Sequence, residues 1–274
     1  MQKKAILLGS KPGSVVALLL LVQRGWTVTE VVASPSQAAW LPGPSLFEVA
    51  SSLGIKTVSH QDQLESSNAD LVISYMYRSL VKPLTADRGR FAINFHAGPL
   101  PEFGGWAFYN LAILEGSSEY GCTCHIMDEA FDTGPLVKVL RFEIDSNIET
   151  ALSLEKKTQK QMVLLFDQVV ANFERQNDFV LIPQPPDQMR YLNHAEFRKL
   201  KRIPDNASKI DIDRIARAFW YPPYEVAYFE SVNGNRVEVI PEIAKNELAY
   251  SCHKRSLTDL LQAANISLPS LLKQ

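Results

Sequence analysis

A chain of 274 residues can bury a sizeable core, as one large domain or as a catalytic domain with a smaller appendage. Its 28 Lys and Arg against 30 Asp and Glu leave a net charge of −2, which excludes the global basic field that drives nucleic-acid binding by counterion release. Cys122, Cys124 and Cys252 provide neither a disulfide framework nor a structural zinc site, so no metal is expected and a reducing cytoplasm is the simplest location.

Lys3 and Lys4 precede an apolar run from Val15 to Val22, a superficial imitation of a signal peptide. Gly9-Ser10-Lys11-Pro12-Gly13-Ser14 intervenes, no small-x-small cleavage site follows, and the run is far too short to span a bilayer. A strand, a structural turn and a buried helix are expected instead, without membrane association. Ser14 should cap that helix and Gly25 end it; Gly43-Pro44 should start a second, which Gly54 ends. Short β-branched runs at Ala5 to Leu8, Val28 to Val32, Ile55 to Val58, Leu71 to Ser74 and Phe91 to His96 read as parallel strands joined by crossovers.

Trp106 to Glu115 reads as a third helix stopped by Gly116. Strands over Tyr120 to Met127 and Leu136 to Glu143 follow, with the Asp128 to Gly134 loop between them. From about Thr150 to Arg175, Leu154, Thr158, Met162, Leu165, Val169 and Phe173 recur at helical spacing, predicting a long amphipathic helix across the sheet. The Pro-rich segment Ile182-Pro183-Gln184-Pro185-Pro186 cannot continue it and divides a catalytic domain, residues 1–185, from a small one, residues 186–274. The latter should hold a helix over Ile210 to Phe219 and a hairpin, Val226 to Ser231 with Arg236 to Ile240, turning at Asn233-Gly234. That hairpin is either a homodimer contact or a closed local sheet. The fold class is α/β: a Rossmann-like, mostly parallel sheet with flanking helices, plus a small C-terminal α+β region.

The most informative segment is Ile93-Asn94-Phe95-His96-Ala97-Gly98-Pro99-Leu100-Pro101, followed by Asp132 in Phe131-Asp132-Thr133-Gly134. Asn94 and His96 are two positions apart on a strand and share a face. The Gly/Pro sequence ends that strand at once, which places the pair at a carboxyl end of the sheet, where open α/β folds bind ligands. An amide, an imidazole and a carboxylate suit acyl transfer: Asn94 can donate to a developing oxyanion, and His96 can receive a proton near neutral pH. Asp132 can hold the imidazole tautomer, raise its basicity or pass the proton onward. Cys122 and Cys124 share a strand face and suit core packing, with His125 on the opposite face. The Lys199-Leu200-Lys201-Arg202 cluster reads as a solvated face.

Asn94-x-His96, Leu100-Pro101, Gly104-Gly105, the Leu111 to Gly121 stretch and Asp132-Thr133-Gly134 resemble the formyltransferase family that uses 10-formyltetrahydrofolate. Tyr77-Arg78-Ser79-Leu80, His125 and Trp220-Tyr221-Pro222-Pro223-Tyr224 are most similar to its sugar-nucleotide N-formyltransferases. The resemblance implies catalysis by Asn94, His96 and Asp132. It implies folate contacts at Ser79, Leu80, Val81, Trp106, Asp128, Glu129, Ala130 and Phe131, and acceptor contacts at Tyr77, Arg78, His125 and Trp220. The implied reaction moves a formyl group from 10-formyltetrahydrofolate to a nucleotide-linked amino sugar, for O-antigen or related glycan synthesis.

Two departures stand beside the site. The family's Ser-Leu-Leu-Pro is Gly98-Pro99-Leu100-Pro101, which loses a hydroxyl, and its basic pair is replaced by Glu102-Phe103, which removes positive charge from the acceptor side. Alternatives are a methionyl-tRNA formyltransferase, a 10-formyltetrahydrofolate hydrolase and a folate-binding regulatory module.

Overall fold

In the computed structural model, residues 2–36, 43–105, 108–185, 188, 190–192, 194–245 and 256–267 are described. The first half runs β1 (Lys4–Gly9), α1 (Pro12–Gln23), β2 (Thr27–Val32), α2 (Leu46–Ser52), β3 (Lys56–Val58), β4 (Ala69–Tyr75), α3 (Pro83–Ala86) and β5 (Gly89–His96). Then come β6 (Gly104–Gly105), α4 (Phe108–Leu114), β7 (Glu119–Ile126), β8 (Leu136–Glu143) and α5 (Ala151–Gln176). The chain continues through β9 (Tyr191–Leu192), α6 (His194–Lys199), α7 (Lys209–Ala218), β10 (Ala227–Glu230), β11 (Arg236–Val239) and α8 (Ser256–Ala263).

Seven strands form one sheet in the order β3-β2-β1-β4-β5-β7-β8, parallel through β5 and antiparallel at β7 and β8. The five predicted parallel strands and the two later ones are all present, as are α5, α7 and the β10–β11 hairpin. The strand order reverses between β1 and β4, the kind of crevice where open α/β sheets take ligands.

β1 is buried on both faces: Ala5 and Leu7 join the larger core, Ile6 and Leu8 the smaller one. The larger core lies under α1, α2, α4, α5 and α8, and every residue of the predicted α5 stripe is buried in that helix. The run that imitates a signal peptide is α1, buried from Gly13 to Leu21, as expected of a helix apolar all round. Among the described residues no helix is long and apolar enough to cross a membrane.

Local caps correct the expected helix starts. Ser14 lies inside α1, bonding its hydroxyl back to the Lys11 carbonyl at 2.6 Å, because Pro12 already supplies a first-turn residue that needs no N–H partner. α2 begins after Ser45, whose capping box with Glu48 outcompetes Gly43-Pro44 as the start signal. Gly25, Gly54 and Gly116 take positive φ after α1, α2 and α4, where the stops were expected.

The Pro-rich stretch and the segment after it are tied to the first half of the fold. Ile182 pairs with Leu136, β9 pairs with β6, and Asn110 of α4 donates to the Ala218 carbonyl at 2.6 Å. Ile203, Phe219, Ala227, Leu257 and Leu260 share the larger core with the strands. Lys201 corrects the expectation of a solvated basic face, since it is buried and donates to the Glu225 carbonyl at 3.0 Å.

Candidate active site

β5 and β7 run antiparallel with Asn94 opposite His125 and His96 opposite Thr123. This register brings a histidine from β7 against the amide of β5, a pairing invisible until the two strands are known to be neighbours. Asn94 Nδ2 lies 3.0 Å from His125 Nε2, while His125 Nδ1 is 2.8 Å from the Ile126 carbonyl. A carbonyl only accepts, so Nδ1 carries the proton and neutral His125 accepts the Asn94 amide at Nε2. One hydrogen of that amide remains uncommitted to His125.

His96 is held by the same logic in the opposite sense. Its Nε2 donates to the Phe103 carbonyl at 2.7 Å, leaving the lone pair of the neutral ring on Nδ1, 3.5 Å from Asp132 Oδ1. The same carboxylate oxygen stands 3.5 Å from His125 Nε2, and its partner Oδ2 accepts the Gly105 N–H at 2.9 Å. All three side chains are at least nine-tenths buried. Burial pushes the Asp132 carboxyl up, but the positive charge that His96 and His125 carry when protonated, together with the Gly105 N–H, holds it well below the usual carboxylate range.

The loop carrying Asp132 is built with little freedom. Asp132 itself sits at φ 61°, a left-handed conformation that Asp tolerates better than most residues, and its carbonyl accepts Gln184 Nε2 at 2.9 Å. Gly134 is required by close approach: a Cβ there would lie 1.9 Å from the Ile126 carbonyl oxygen. Gly134→Ala is therefore expected to destabilise the fold by about 3 kcal/mol, read from the urea midpoint; an unchanged midpoint would contradict this packing.

These groups end a cleft of about 550 Å³ at the carboxyl ends of β1, β4 and β5, of a size suited to a small-molecule ligand. Tyr77, Arg78, Ser79, Leu80 and Val81 line it after β4, and Asp128, Ala130, Phe131 and Asp132 line it from the later loop. Of the residues expected there, Glu129 is exposed outside the lining, and Trp106 falls outside the described residues. Trp220 also departs from expectation. It is buried away from the cleft with Val226 and Ala244, since the aromatic-proline cluster seals a local core and turns Tyr224 to the cleft instead. Lys11, Met76 and Phe108 were not anticipated. Met76, like Asp132, lies at positive φ beside the cleft, a costly conformation for a bulky residue.

The two departures in the sequence are local. Glu102 points away from the cleft lining and pairs with Arg141 of β8, so it does not charge the cleft wall. Gly98 packs so tightly that a Cβ would lie 2.6 Å from the Phe103 oxygen and 2.8 Å from His96 Nε2. Cys122 and Cys124 are fully buried, and burial pushes both thiols up.

Comparison with known proteins agrees with this architecture. The GDP-perosamine N-formyltransferase of Brucella melitensis biotype 1 is 29% identical over 181 residues, 64% of this chain and 65% of that protein, so the match spans just under two thirds of this relative. The methionyl-tRNA formyltransferase of Agrobacterium fabrum is 26% identical over 268 residues, 91% of this chain and 83% of that protein. In fold, the chain is similar to the N-formyltransferase from Helicobacter canadensis solved with folinic acid and dTDP-3-aminofucose, with TM-score 0.69, 20% identity and 86% of each chain covered. The formyl transferase model matches residues 28–170, more than half of the sequence, including the strand that carries Asn94 and His96 and the loop that carries Asp132, and the chain belongs to the formyl transferase family.

Proposed function

We propose that this protein transfers the formyl group of 10-formyltetrahydrofolate to the primary amine of a nucleotide-linked amino sugar. The observation that carries the reading is the convergence of Asp132 Oδ1 on His96 Nδ1 and His125 Nε2, with the Asn94 amide 3.0 Å from the latter, at one end of the cleft. The rest of the lining fits the donor. Leu80, Val81, Met127 and Phe131 offer apolar walls for a flat heteroaromatic ring, while the loops after β4 and β7 offer backbone groups to its polar edge.

The donor supplies an activated formyl carbon. Asn94 gives its uncommitted amide hydrogen to the formyl oxygen as that oxygen gains charge, and His125 keeps the amide turned for it. His96 takes the amine proton at Nδ1, the nitrogen that the Phe103 carbonyl leaves bare. Asp132 faces the imidazolium so formed, which returns the proton to the donor nitrogen as the bond between that nitrogen and the formyl carbon breaks and tetrahydrofolate leaves. Asn94, His96 and Asp132 are the catalytic residues, with Ser79 to Val81 and Asp128, Ala130 and Phe131 on the donor side. Tyr77, Arg78 and Tyr224 face the acceptor. Residues 1–185 supply the reacting groups and the segment from 186 onward closes the acceptor side through Tyr224. A cytoplasmic reaction feeding O-antigen or related glycan assembly is part of the same reading.

The sugar acceptor is favoured by the Brucella relative and by the aminosugar nucleotide in the Helicobacter structure. The match to the Agrobacterium protein over 91% of this chain sustains a second reading, with charged initiator tRNA as acceptor. Incubation with 10-formyltetrahydrofolate and a panel of nucleotide-linked amino sugars should release tetrahydrofolate and add one formyl group to an amine of at least one member. Turnover with initiator tRNA alone would select the second reading, and no amine-dependent turnover at all would overturn both.

A further inference from the structure

We propose that Thr123 is a positioning residue that sets the proton location on His96 through the backbone of the turn after β5; this rests on the proposed role of His96 as base. The turn from Ala97 to Gly105 supplies both backbone groups that hold the site: the Phe103 carbonyl on His96 and the Gly105 N–H on Asp132. It has few means of holding itself. Pro99 and Pro101 have no N–H, and its internal closure is the Phe103 N–H to Pro99 carbonyl bond at 3.0 Å.

Thr123 makes good that lack. Fully buried and opposite His96 in the β5–β7 register, its hydroxyl donates to the Gly98 carbonyl at 2.8 Å and accepts the Leu100 N–H at 2.9 Å. One side chain thus satisfies two backbone groups of the turn and sets its height over the imidazole. Tyr120 adds a hydroxyl to the Ala97 carbonyl at 3.0 Å, and Arg141 holds Glu102 from outside. The fit leaves no slack, since even a Cβ at Gly98 would strike both the Phe103 oxygen and His96 Nε2. If the turn shifts, Nε2 loses its acceptor, and the neutral ring can place its proton on Nδ1, the nitrogen that the mechanism needs bare.

Thr123→Val removes both hydrogen bonds at nearly constant volume, and Thr123→Ser keeps the hydroxyl. The expected result is a kcat about 10- to 100-fold lower in the valine variant, with KM for donor and acceptor within about two-fold, and recovery in the serine variant. Nitrogen-15 NMR of the imidazole, in protein without substrates, should find His96 as the Nε2–H tautomer in wild type and as a tautomer mixture in Thr123→Val. Wild-type kcat and tautomer in the valine variant would overturn the proposal. So would an Nδ1–H tautomer in the unmodified protein, a reading available even if Thr123→Val fails to fold. A protein inactive toward every amine but with the expected tautomers would instead sink the proposed reaction and leave the positioning role standing.

Discussion

His96→Asn is expected to lower kcat about 100- to 10,000-fold while leaving donor affinity nearly unchanged, because the group removed acts on a proton and not on the bound ring. The structure gives this prediction a specific atom. With Nε2 committed to the Phe103 carbonyl, Nδ1 accepts the amine proton, and asparagine offers no base there. Steady-state kinetics with donor binding measured separately checks it. A variant that keeps wild-type kcat, or loses only donor affinity, would remove His96 from the chemistry.

Asp132→Asn should cost kcat about 10,000-fold, comparable to the loss of an orienting carboxylate beside a catalytic histidine elsewhere. Asparagine suits the left-handed backbone at φ 61° and keeps an oxygen for the Gly105 N–H, so the change is confined to charge. A second readout follows from linkage. The folded carboxyl lies below its ordinary value, so the stabilisation by its charge is complete above about pH 4 and is lost as pH falls further toward the folded value. Wild-type stability should therefore decline below about pH 4 more steeply than that of Asp132→Asn. Thermal melts across that range decide it; parallel curves would show that Asp132 is not a depressed carboxyl.

The strands were legible because β-branched runs between turn residues leave little else for those segments to be, and the α5 stripe because its spacing has one solution. The end-of-strand position of Asn94 and His96 was legible for a similar reason: Gly98-Pro99 cannot extend β5. The partners of those residues were not. That His125 orients Asn94 depends on the β5–β7 register, and that His96 donates to Phe103 depends on a backbone carbonyl, which carries no side-chain signal. Trp220 was misplaced because an aromatic beside two prolines serves equally to seal a core or to face a ligand; burial with Val226 and Ala244 decided between them. Glu102 looked like a change in the acceptor side because its partner, Arg141, lies 39 residues away on another strand.

The central claim is that this cluster moves a formyl carbon onto an amine, and following that carbon tests it most directly. With donor labelled in the formyl carbon and a nucleotide-linked amino sugar present, the wild-type protein should place the label in an amide of the acceptor. His96→Asn and Asp132→Asn should leave it on the donor. Label released as free formate at the same rate with and without acceptor would contradict the account and make the protein a hydrolase.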